Sequence, residues 1–97
     1  MPDTLNSFNI PTSWINLNTL SSIPVGTEIL LQNRGKFGDV IEAAISVTEP
    51  ESSFAGIVLE QYGFYRVDAG ENDVWVRFIR LADQTPAVGT TKLQVQI

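Results

Sequence analysis

The residues of this chain whose types and spacing could do chemistry are its carboxylates: Glu42, the pair Glu49 and Glu51, and the group Asp68, Glu71 and Asp73. Two acids can protonate a leaving group and activate water, provided they face each other across a cleft. Their surroundings point elsewhere. Glu42 falls on the polar side of an alternating apolar segment, and Glu49 and Glu51 lie in the Pro-containing run 48–53 (TEPESS). Asp68, Glu71 and Asp73 surround Gly70 in a run typical of turns. Solvated turn chemistry is the favoured reading of these acids. A calcium site at 68–73 is the alternative, weakened because the loop has no EF-hand ligand pattern, and catalysis ranks below both.

The rest of the composition narrows the chemistry further. The chain has no histidine, hence no general base near neutral pH and not the commonest transition-metal ligand. It has no cysteine, hence no disulfide, thiolate ligand or thiol nucleophile. We therefore expect no enzyme, no metal and no cofactor. Six Lys and Arg against eleven Asp and Glu give a net charge of -5, and the basic residues form no run. Nucleic acid is a poor partner for such a chain, because phosphate binding needs clustered positive charge. No apolar stretch approaches the roughly 20 residues that span a bilayer. The opening MPDTLNSFNIP has neither the basic region nor the apolar core of a secretion signal. A soluble protein assembled in a cytoplasm is expected.

The elements that would position these residues are strands. The 97 residues suit one domain, and from Ser13 onward the hydrophobic period is two. Strands are expected at 14–20, 27–33, 40–47, 56–60, 62–67, 74–81 and 92–97, the fifth with a bulge at Gly63. Residues 23–27 (IPVGT), 34–39 and 68–72 read as turns or loops. About seven short strands with turn signals every 8–12 residues predict an all-β fold, a compact β-sandwich or barrel. Its core should contain Ile29, Leu31, Ile41, Ala43, Ile45, Val47, Val76, Phe78, Leu93 and Val95. Phe54 and Phe64 are also expected in the core. On this reading Glu42→Ala should cost little.

Two features suggest surfaces for partners. Residues 1–13 carry isolated apolar Leu5, Phe8 and Ile10 among Asn, Ser, Pro and Thr. They read either as a frayed terminus or as an extended arm that docks these three side chains on a neighbouring subunit, ahead of a single β domain at 14–97. If the arm only docks, deleting residues 2–12 should leave the melting temperature of the domain unchanged. Segment 74–81 (VWVRFIRL) is the second feature, being apolar on both faces, with Trp75 and Ile79 opposite Val76 and Phe78. A loop, the arm or another subunit could cover the second face. A subunit is favoured because so small a domain has little chain to spare. Trp14 and Trp75 are then interface anchors or core residues, and sugar stacking on Trp75 or Tyr65 is the sharper alternative.

Segment 13–33 (SWINLNTLSSIPVGTEILLQN), with the later GIVL at 56–59 and VWV at 74–76, resembles small accessory virion proteins of tailed bacteriophages. The shared pattern is a Trp-containing lead-in, a Val-Gly-Thr turn and an Ile-x-Leu-Gln-Asn strand ahead of a compact β domain. The resemblance implies a head-decoration or tail-fitting protein located in the virion. It would act by contact with the major capsid protein or another virion protein, most simply as a homo-oligomer. The competing expectation is a small receptor- or glycan-binding module at a tail or fibre.

Overall fold

The computed structural model describes residues 7–35, 39–51, 56–79 and 89–97. The elements are β1 (Phe8–Pro11), β2 (Ile15–Asn16), α1 (Leu17–Ser21), β3 (Ile29–Asn33), β4 (Val40–Ile45), β5 (Ile57–Leu59), β6 (Phe64–Val67), β7 (Val74–Ile79) and β8 (Thr90–Gln96). They form two four-stranded sheets with strand orders β1-β8-β3-β6 and β2-β7-β4-β5. Every neighbouring pair is antiparallel. The pairs β1·β8, β2·β7, β3·β6 and β4·β5 are those of one long hairpin rolled up on itself, the topology of a jelly roll. The all-β sandwich expected from the period-two pattern is what forms.

Alternation sets the core. Ile29 and Leu31 of β3, Leu93 and Val95 of β8, and Val67 of β6 point inward from one sheet. Ile41 and Ala43 of β4, Val74, Val76 and Phe78 of β7, and Leu59 of β5 meet them from the other. A one-residue slip on any of these strands would turn its apolar set outward, so register and burial reinforce each other.

Several expectations are corrected. β4 stops at Ile45, which is only partly buried, and Val47 lies beyond it at 71% exposure. Phe64 is 69% exposed because the inward positions on β6 are Tyr65 and Val67. Phe54 lies outside the described residues. The expected strand at 14–20 is a two-residue strand followed by a helix. Asn16 caps that helix by accepting from Thr19 N at 3.1 Å, and Ser22 closes it at φ 61°. Gly63 sits in the β5–β6 turn rather than at a bulge, donating to Glu60 O at 2.8 Å.

The N-terminal segment differs most. Residues 8–11 pair with β8 in this chain's own sheet, Phe8 opposite Leu93 and Ile10 opposite Thr91. Ile10 is fully buried and Phe8 packs against the core. These two side chains therefore help to build the domain, while Leu5 lies outside the described residues. Ile10→Ala is expected to destabilise the isolated domain by about 2–5 kcal/mol, as other large-to-small core changes do. Deleting residues 2–12 should lower its melting temperature further. Unchanged thermal unfolding of both variants would mean that β1 adds nothing to the fold.

Candidate functional site

The outer side of the β2-β7-β4-β5 sheet carries the doubly apolar strand noted above, and the chain itself covers part of it. Arg77 and Glu42 are cross-strand neighbours on that side. Their side chains are 15% and 6% exposed, and Arg77 Nη2 lies 2.6 Å from Glu42 Oε1. Arg77 Nε also donates to Glu42 Oε1 at 2.6 Å, and Gly56 N donates to Oε2 at 2.8 Å. A side chain at Gly56 would run into the Ala43 carbonyl, so glycine is what allows this approach. Trp14 lies over the Arg77 guanidinium, 4.4 Å from ring centroid to Cζ, and donates from Nε1 to Glu51 O at 3.2 Å. Trp75 Nε1 donates to Ser46 O at 3.0 Å. Ser46, Glu51 and Gly56 are thus each bonded to side chains on this side of the sheet.

This arrangement corrects two expectations. Part of the cover on this side comes from the chain itself: Trp14, 8% exposed, lies over Arg77, and Trp75 is bonded to Ser46, while Trp75 and Ile79 stay partly exposed. Glu42 is a buried ion-pair partner rather than a solvated residue. A sequence signal was present, since Glu42 and Arg77 each break an apolar run at a position that antiparallel pairing brings together.

The other expected acids are spread out. Asp73 accepts from Asn16 Nδ2 at 2.8 Å, and Asp39 accepts from Thr91 Oγ1 at 2.8 Å. Glu49, Glu51, Asp68 and Glu71 are exposed. Among the described residues no three acids come close enough to hold a metal ion. Every buried side-chain nitrogen or oxygen among them has a hydrogen-bond partner. The buried polar groups are thereby committed to holding loops in place.

Among the described residues, two exposed regions stand out. The first is the β5 edge. The four edge strands are β1, β6, β2 and β5; β1 carries Pro11, β6 carries Arg66, and β2 and β5 are only two and three residues long. β5 is Ile-Val-Leu, with Ile57 at 41% and Val58 at 50% exposure, neither of which the sequence marked as a surface residue. The second is the outer face of the β1-β8-β3-β6 sheet. Registers β3·β6 and β3·β8 align Phe64, Gln32 and Gln94 in one row and Arg66, Leu30 and Gln96 in the next. A shallow depression there is lined by Leu30, Gln32, Phe64, Gln94 and Gln96. Tyr65, with Trp75 the alternative for sugar stacking, packs against the core.

Comparison of the chain with protein-family models, with curated proteins and with solved structures finds no match.

Proposed function

We propose that this chain is a non-catalytic structural protein of a bacteriophage particle, a decoration or cement subunit that works through protein–protein contact. The observation that carries the reading is the β5 edge. β5 is short, but Ile57 and Val58 stand exposed at the border of a sheet, where an extended segment of a partner can add as a further strand and bury them. β1 and β6 carry proline and charge, which discourage such pairing. The jelly roll is consistent with this reading, being a fold used in viral capsids, although the fold alone assigns no function. Contact would be with the major capsid protein or with further copies of this chain, in the virion.

The test is removal of apolar area at the edge. Ile57→Ser with Val58→Ser should weaken self-association in sedimentation analysis, or co-sedimentation with particles lacking the protein, by about tenfold or more. Both residues are substantially exposed, so thermal unfolding should shift little. A wild-type chain that stays monomeric at its solubility limit and never sediments with particles would overturn the proposal.

A further inference from the structure

We propose that the outer face of the β1-β8-β3-β6 sheet binds an acidic glycan chain, with Phe64 as the stacking platform, Gln32 and Gln94 reading hydroxyls, and Arg34, Arg66 and Lys92 pairing with carboxylates. The inference is independent of the β5 edge and of the assembly reading. Charge distribution is its starting point. The chain is net -5, yet of the four Lys and Arg among the described residues, three stand exposed on this one face. The fourth, Arg77, is the buried partner of Glu42.

The cations bracket the amides. Arg34 N donates to Lys92 O at 3.0 Å, which places this pair opposite each other beyond one end of the Gln32–Gln94 row. Arg66 stands in the row beyond the other end, beside Leu30. Leu30 to Arg34 is four residues of extended chain, about 13 Å. Between the cations lie the neutral amides of Gln32 and Gln94, with Leu30 beside Arg66 and Phe64, 69% exposed, on the edge strand. Carboxamides both donate and accept, as sugar hydroxyls do, and an exposed ring offers an apolar face to a pyranose. Arg pairs with planar carboxylates in fork geometry.

The two amides are held in position. Gln32 Nε2 donates to Tyr62 O at 3.1 Å, and Gln94 Oε1 accepts from Arg34 Nε at 3.4 Å. The Arg34 guanidinium lies 5.8 Å from the Tyr62 ring centroid. Tyr62 is 58% exposed and sits at φ 64°, a turn position that favours glycine or asparagine. The protein thus keeps a large exposed ring where a smaller residue would be easier to accommodate.

Other occupants fit less well. Single-stranded nucleic acid needs a continuous positive groove along its phosphates, whereas this face interposes neutral amides and ends at Glu28, beside Arg66. A protein partner would have to desolvate the three glutamines that line the depression, where an interface centre is usually apolar.

The test is a nuclear magnetic resonance titration of the full chain with an oligogalacturonate hexamer. Maltohexaose, poly-glutamate and oligothymidylate are the comparison probes. Backbone signals of Leu30, Gln32, Phe64 and Gln94 should shift with the uronate, and affinity should fall at physiological salt, where the Debye length is about 8 Å. Phe64→Ala and Gln32→Ala should each weaken binding about tenfold with unchanged thermal unfolding. No shift with either saccharide would overturn the proposal. So would maltohexaose binding as tightly as the uronate, or poly-glutamate or oligothymidylate binding more tightly.

Discussion

Glu42→Ala is expected to lower folding stability by about 3–5 kcal/mol, because it leaves the Arg77 guanidinium buried without its counter-charge. The Arg77 side chain is 15% exposed, so water can replace little of what the carboxylate supplied. The substitution also removes the acceptor of Gly56 N, loosening the chain over the sheet. For a domain this size about 1 kcal/mol corresponds to roughly 4–8 °C in melting temperature, so a fall of roughly 15–30 °C should be measured. Glu42→Leu combined with Arg77→Met should recover most of the loss, since a buried pair replaced by apolar side chains is often close to neutral. Recovery will be incomplete to the extent that Gly56 N stays without its acceptor and that Trp14 stacking on Arg77 contributes, the latter about 0.5–2 kcal/mol. A single variant that melts within a few degrees of the parent would show that the pair is dispensable.

Asn33→Leu should be comparably damaging, although it keeps the side-chain volume nearly constant. Asn33 is completely buried at the end of β3. Its Nδ2 donates to the carbonyls of Asp39 and Leu59, each at 2.9 Å, and its Oδ1 accepts from Gly35 N at 2.8 Å. One side chain thus joins β3 of one sheet to the start of β4 and the end of β5 in the other. Leucine would leave two carbonyls and one N–H without this partner, at about 1–3 kcal/mol for each group that water cannot reach. We expect a total loss on the order of 3–6 kcal/mol, a large part of the 5–15 kcal/mol typical of a domain. Gln32→Leu, one residue earlier on the solvent face of the same strand, is the control and should change stability little. Urea titrations showing equal midpoints for the two variants would refute the assignment of Asn33 as the tie between sheets.

The fate of Asn33 and Glu42 shows where reading the chain stops. Alternation in 74–79, 29–33 and 92–96 was enough to assign Val74, Val76, Phe78, Ile29, Leu31, Leu93 and Val95 to one inward face, and with it the all-β class. Side-chain direction along a strand is a local property of the backbone, so period two is written into the residues themselves. The turn at 23–27 was legible for the same reason: Thr27 N closes onto Pro24 O, and Gly26 takes φ 93°.

What lies across from a face is not local. Glu42 looked solvated because its own strand gives it a polar side. Burial came from Arg77, 35 positions away, and from Gly56 and Trp14 folding over the same sheet. Ile10 looked like a loose anchor until β8, more than eighty residues later, supplied its sheet partner. Phe64 and Val58 looked like core residues by type. They are exposed because the roll-up leaves β5 and β6 at sheet edges, where a strand has neighbours on one side only. The chain by itself determined which residues share a face. Long-range antiparallel pairing, which depends on the whole chain closing at once, decided which faces are covered and which are left exposed.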